Sequence, residues 1–327
     1  MITIRRPDDF HVHFRRGDIL RTVAPYTASQ FGRALVMPNT DPPILTGADA
    51  QAYRDEISAA TGPGFEPLMT IQITDATPPP MVREARESGV VAGKVYPRGV
   101  TTNSQNGVTD FRALYPVFRA MERVGLILSI HGQHTSAFIL DREKAFLGTL
   151  RELSGRFPGL RIVLEHVSTE EAVWAVEELP GNVAATITAH HLQLTLDNVL
   201  ADGGLRPHHY CQPVAQRPAD RTALRRAAVS GNPKFFFGSD TAPHLREHKE
   251  SACGCAGVFT APVILPVLME VVGINERFLA EFGARFYNLP LNESTVTLVQ
   301  EPWTVPDDIG GIVPFRAGET LTWKVMR

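Results

Sequence analysis

The sequence has 327 residues, of which 43% are hydrophobic and 20% charged, with a net charge of -3 and a pI near 6.4. That composition supplies one large core, shows no sign of disorder, and gives no electrostatic reason to expect nucleic acid or an anionic membrane as partner. Three cysteines, Cys211, Cys253 and Cys255, are too few for a disulfide framework and suit a reducing cytoplasm, and no apolar run nears the roughly 20 residues that cross a bilayer.

The opening stretch, MITIRRPDD, lacks the apolar core of a signal peptide. Eight strand-like runs follow in order: Asp9–Phe14, Arg33–Asn39, Pro67–Thr74, Val90–Tyr96, Leu126–His131, Arg161–His166, Asn182–Thr188 and Lys234–Asp240. They are almost continuously hydrophobic, as parallel strands covered by helices are. Between them, Asp110–Arg123 has helical spacing, with Phe111, Leu114, Tyr115 and Phe118 on one face. Thr169–Leu179 is a second helix, capped by Ser168 or Thr169. Eight strand–helix units predict an α/β fold of the (β/α)8 barrel type. An open doubly wound sheet is the other arrangement, but no Gly-rich nucleotide turn follows the first strand. No linker divides the chain, so residues 1–327 read as one domain. Beyond about Pro290, STVTLV and ETLTWKV predict a short β-like C-terminal extension packed on the barrel.

Polar residues stand in or close several of these runs: His11 and His13 in the first, Lys94 in the fourth, His131 and His166 closing the fifth and sixth, and Asp240 closing the eighth. In a barrel the C-terminal strand ends converge on one rim, so residues distant in sequence meet there. His11 and His13, at i and i+2, share a strand face, and two imidazoles aimed at one point are half of a zinc site. Alone, such a pair is equally a buried structural one. Together with His131, His166 and Asp240 it points to a metal centre. Lys94 sits in VVAGKVYP, where a free ammonium is costly to bury unless it snorkels to solvent. Beside two divalent metals and neutral histidines an ammonium adds repulsion. A lysine amine that has taken up carbon dioxide is instead a carbamate, whose two oxygens can bridge two metals.

Over essentially its whole length the chain resembles the class II, bacterial-type dihydroorotases of the amidohydrolase superfamily. The resemblance rests on DDFHVHFR, VMPN at Val36–Asn39, AGKVYP at Ala92–Pro97, TTNSQNG at Thr101–Gly107, IHG at Ile130–Gly132, LEHVST at Leu164–Thr169, RPHHYC at Arg206–Cys211, and GSDTAPH with HKESACGCAG between Gly238 and Gly257. It implies two Zn2+ per subunit: His11, His13 and Asp240 on the buried ion, His131 and His166 on the more exposed one, and N6-carboxylated Lys94 bridging both. It further implies an attacking hydroxide between the metals, its proton passed by Asp240 to the leaving amide nitrogen. The implied reaction is the reversible closure of N-carbamoyl-L-aspartate to L-dihydroorotate in pyrimidine biosynthesis, by a cytoplasmic homodimer that binds neither nucleic acid nor membrane.

The substrate carries a carboxylate that takes no part in the chemistry. Arg15, two positions beyond His13, is expected on the same strand face, with a guanidinium suited to bidentate carboxylate binding. The resemblance adds Asn39 and His244 as its partners, Thr101 and Thr102 on a loop that closes over substrate, and backbone contacts from Gln212 and Ala256. Each has a plainer reading: Arg15 and Arg16 as a solvated pair, Asn39 as a turn residue, His244 and the Thr101–Gly107 segment as surface loop. The spacing of Cys253 and Cys255 does not suit zinc, and Cys211 reads as a small buried residue. Two positions depart from the family pattern. Gln212 stands where an apolar residue is usual, and Gln133 where a glutamate is; neither is expected to touch the metal set. Two other readings remain. A hydantoinase, dihydropyrimidinase or allantoinase would share barrel and metal set but adds a β-sandwich from both termini. A silent barrel scaffold would typically have lost metal ligands, and this chain keeps them all.

Overall fold

The computed structural model of the protein describes residues 1–201 and 203–326. A short strand, β1 (Ile2–Arg5), precedes eight strands: β2 (Asp8–Val12), β3 (Arg33–Val36), β4 (Glu66–Ile73), β5 (Ala92–Val95), β6 (Ile127–Ile130), β7 (Ile162–Leu164), β8 (Val183–Ile187) and β9 (Phe235–Phe237). β2 to β9 form one sheet in which each strand pairs in parallel with the next. The ring closes just beyond β9, where Asp240 N donates to His11 O and His13 N donates to Thr241 O, each at 2.9 Å. Asp9 holds the same seam, accepting from Ser239 N at 2.7 Å and His11 N at 3.2 Å. The fold is the (β/α)8 barrel that the eight apolar runs predict.

Side chains alternate across a strand, so the barrel interior is built in layers two residues apart. The lower layer is apolar and takes one residue from each strand: Phe10, Leu35, Leu68, Ala92, Ile127, Val163, Ala184 and Phe236. Phe282 and Tyr287 pack in the same cluster. Two positions further along four of these strands stand Lys94, Ser129, Glu165 and Thr186, each at most 1% exposed. The upward turn from apolar to polar places chemistry at the C-terminal rim and leaves the lower end as a hydrophobic plug.

The structure corrects four local expectations. The ladders end earlier than the apolar runs do, so His13, Asn39, His131, His166 and Asp240 follow the last paired residue rather than lying within a strand. Arg15 is not on the β2 face: its φ of 62° turns the chain into the following helix, Gly17–Gln30. The helix expected from Asp110 starts at Tyr115, because Pro116 fits the first helical turn, where amides have no intrahelical acceptor. Finally, the C-terminal extension borrows from the N-terminus. β10 (Thr295–Val299) pairs antiparallel with β1 and with β13 (Lys324–Val325), while β11 (Trp303–Thr304) pairs with β12 (Thr320–Leu321). The second helix lies over Glu170–Glu178 and is capped by Thr169, whose hydroxyl accepts from Ala172 N at 3.2 Å. No helix among the described residues is long and apolar enough to cross a membrane.

Candidate metal centre and its pocket

His11 Nε2 lies 3.2 Å from His13 Nε2 and 3.3 Å from Asp240 Oδ1, and His13 Nε2 lies 3.1 Å from the same oxygen. Ligand atoms about 2.0–2.1 Å from one tetrahedral zinc stand roughly 3.3–3.4 Å apart, so this triangle has the dimensions of a metal face. The His11 ring is fixed from behind. His11 Nδ1 is 2.9 Å from Glu165 Oε2, which accepts its proton and leaves Nε2 with a free lone pair. Glu165 is in turn held by the hydroxyls of Ser129 and Thr186, the latter at 2.7 Å. The donor set therefore fits a metal ion.

The other predicted residues gather beside this triangle. The His11 and His166 rings are 5.0 Å apart, and those of His131 and His166 are 4.6 Å apart. His166 Nδ1 and Lys94 Nζ are buried without a hydrogen-bond partner among the described residues, although such groups are normally satisfied. Lys94 is fully buried, 5.2 Å from the Tyr96 ring centre. Against expectation, Gln133 does reach the metal set: its Oε1 lies 2.7 Å from His131 Nε2. The two-residue spacing after β6 brings both side chains to the same side.

Burial is the leading electrostatic influence. It pushes the Lys94 ammonium down to about 8, against the opposing charges of Glu165 and Asp240. It lowers His11, His13 and His166, and with the Lys94 charge takes His131 to about 3, so all four imidazoles are neutral and free to bind metal. Burial also raises Asp240, while burial of Glu165 is outweighed by Lys94 and His11, which hold it at about 2. His166 and Asp240 have positive φ values of 40° and 47°, a conformation that costs non-glycine residues of order 1–3 kcal/mol and clusters at functional sites.

A small pocket opens over these groups, lined by His13, His131, His166 and Asp240 at its base. Arg15, Asn39, Thr101, Thr102, Gln212 and Ala256 form its walls. His244 stands behind the wall, its Nε2 2.9 Å from Arg15 Nη2 and 3.0 Å from Ala256 O. A guanidinium only donates and a carbonyl only accepts, so that one nitrogen serves one partner at a time. Asn39 Nδ2 donates to Thr102 O at 3.0 Å, tying the Thr101–Thr102 loop to the rim. The walls are thus cationic on one side and amide-rich on the other.

The sequence reading missed Glu165, Tyr96 and the Gln133 contact. Glu165 carried a signal: an acidic residue two positions beyond an inward-facing apolar one, in RIVLEH. A second cluster, His190, His191 and Cys211, is not equivalent, since both His191 ring nitrogens are engaged by Thr188 Oγ1 and Pro213 O at 2.9 Å. Cys253 and Cys255 are free thiols with sulfurs 3.8 Å apart, in neither cluster.

Comparison with known proteins adds an independent line. The amidohydrolase family model matches residues 8–271. A dihydroorotase of Marinobacter nauticus is 48% identical, covering 99% of this chain and 98% of that protein, and one of Teredinibacter turnerae is 47% identical over 100% and 99%. Among solved structures, a Campylobacter jejuni dihydroorotase superposes with a TM-score of 0.90 at 35% identity, covering 100% and 97% of the two chains. A Saccharomyces cerevisiae dihydroorotase in complex with 5-fluoroorotic acid gives 0.92 at 34% identity, over 99% and 98%. An Arthrobacter aurescens L-hydantoinase gives 0.83 at 15% identity and covers 84% of that longer chain, a likeness of fold alone.

Proposed function

The chain belongs to the amidohydrolase family and, within it, to the dihydroorotases, and from that membership we infer that it interconverts L-dihydroorotate and N-carbamoyl-L-aspartate at a two-metal centre. The observation that carries this reading is the meeting, at one rim, of a metal-sized His11–His13–Asp240 triangle and the Arg15–His244 pair beside it. We read residues 1–327 as one catalytic domain working as a cytoplasmic homodimer, a location in keeping with three free cysteines.

His11, His13 and Asp240 would hold one zinc, His131 and His166 a second, and a carboxylated Lys94 would bridge them. The buried Lys94 Nζ, without a hydrogen-bond partner among the described residues, favours that modification: the ammonium gives up one proton, the resulting amine takes up carbon dioxide and releases a second, and an anion replaces a buried cation. Metal ions held there would supply a Lewis acid for the ring carbonyl and lower the pKa of the attacking water. Asp240 receives the proton of that water and delivers it to the amide nitrogen as the ring C–N bond breaks. In the closing direction Asp240 removes a proton from the carbamoyl nitrogen, and water leaves. Arg15, Asn39 and His244 hold the substrate carboxylate, His244 acting through the Arg15 guanidinium that its Nε2 meets at 2.9 Å. Thr101 and Thr102 cover the pocket and exclude water. Gln212 and Ala256 offer backbone groups to the ring, so the unusual side chain at Gln212 leaves that role intact.

Turnover of dihydroorotate measured beside dihydrouracil and hydantoin tests this reading. Preference for dihydroorotate, the substrate with the carboxylate, supports it. Preference for the neutral rings would move the chain to a hydantoinase-like activity, with barrel and metal site unchanged.

A further inference from the structure

Lys249 is the last residue of the short helix Arg246–Lys249 and is 3% exposed. Its ammonium donates to three backbone carbonyls: Tyr210 O at 2.9 Å, Cys255 O at 2.8 Å and Gly257 O at 2.7 Å. Its three protons are thereby used, and no carboxylate pairs with it among the described residues. A buried cation without a counter-charge is a costly choice for stability alone. Burial indeed brings this ammonium down to about 8, while the three carbonyls accept its protons at 2.7–2.9 Å.

The three carbonyls belong to the two segments that form one wall of the pocket. Cys255 and Gly257 flank Ala256, and Tyr210 lies two residues before Gln212. Gly257 N also donates to Tyr210 O at 3.0 Å, so the two segments are stitched at one point. A trans peptide is planar, with its C=O and N–H antiparallel. Drawing Cys255 O toward Lys249 therefore turns Ala256 N–H away from the lysine, and that amide has no acceptor among the described residues. Ala256 O, in turn, faces His244 at 3.0 Å. Gly257 completes the turn at φ 149°, where a Cβ would come within 2.5 Å of Ala242 O.

We propose that Lys249 is a positioning residue for substrate: its ammonium clamps Tyr210, Cys255 and Gly257 so that the Ala256 and Gln212 backbones face the ring of a cyclic amide. Lys249 touches neither the reacting atoms nor the metal-binding side chains, so its loss acts on binding and leaves the chemical step alone.

The inference rests on the dihydroorotase reading, and wild-type turnover of dihydroorotate separates the two. If wild-type protein is inert, that reading fails first. The test compares Lys249→Met, similar in length without donors, with Lys249→Gln, which keeps two N–H donors. Zinc per chain and circular dichroism are measured on each. Expected is a rise in KM for dihydroorotate of about tenfold or more for Lys249→Met, the scale of a lost charge-assisted hydrogen bond, with a smaller rise for Lys249→Gln. Expected too are kcat per zinc-loaded site within about threefold and a parallel weakening of inhibition by orotate. Should Lys249→Met prove insoluble, Lys249→Gln alone reads the same KM-against-kcat division. An unchanged KM in a folded variant, or a fall in kcat tracking the lost folded fraction with KM constant, would overturn the proposal.

Discussion

His11 Nδ1 and Glu165 Oε2 meet at 2.9 Å with both side chains shut away from solvent. This contact fixes the tautomer that turns His11 Nε2 toward His13 and Asp240, and it anchors the ring plane. Metal-binding histidines commonly rely on such a carboxylate, whose removal lowers metal affinity roughly 10–100-fold. Glu165→Gln keeps the shape and removes the charge. It is expected to weaken zinc binding by that factor in a chelator competition while leaving the circular dichroism spectrum unchanged; undiminished zinc affinity would remove Glu165 from the metal site.

Lys94 and Asp240 have separable roles in this account. Lys94→Ala is expected to lose zinc and turnover together, since it removes the bridging anion. Asp240→Asn keeps an oxygen ligand but not a proton carrier, so turnover should fall by about 10²-fold or more, the usual worth of a general acid–base, with at least one metal retained. Elemental analysis alongside steady-state rates checks both. Full zinc and full rate in Lys94→Ala would rule out the carbamate.

Arg15 is the charged wall of the pocket, braced by its Nε on Pro243 O at 3.1 Å and by Nη2 on His244 at 2.9 Å. Arg15→Met is expected to raise KM for dihydroorotate about 10–100-fold, the worth of a charge-assisted pair. Any slow turnover of dihydrouracil, which has no carboxylate, should be untouched. Equal losses on both substrates would mean that Arg15 supports the fold of the rim rather than the carboxylate.

At the opposite end of the barrel, Arg33 bonds Asp8 twice, Nε to Oδ1 at 2.9 Å and Nη2 to Oδ2 at 2.6 Å, with both side chains nearly fully buried. Asp8→Ala leaves a buried guanidinium without its partner and is expected to cost about 3–5 kcal/mol in urea unfolding. Turnover per folded molecule should stay near wild type, because the pair lies below the apolar layer. A variant as stable as wild type would show that water or Pro290 O compensates Arg33.

The barrel was legible in the sequence because parallel strands covered on both sides leave continuous apolar runs, and those eight runs survive as eight strands. The metal-binding candidates were legible because charged or imidazole side chains stood where such runs end. What stayed hidden depended on distance rather than on pattern. The pairing of β1 with β10 joins residues almost 300 positions apart, and nothing local encodes that register. The Arg15 turn, with its positive φ, breaks the two-residue alternation from which its face was read. Glu165 and Lys249 were visible only as charges inside motifs, since their meaning lies in what they touch: a histidine from β2 and three carbonyls from two loops.

Dihydroorotate turnover by protein stripped of metal, then titrated with zinc, tests the central claim most directly. The account predicts no activity in the stripped protein and recovery that levels off at two zinc ions per chain. Turnover at the full rate in protein shown by elemental analysis to hold no metal would contradict it.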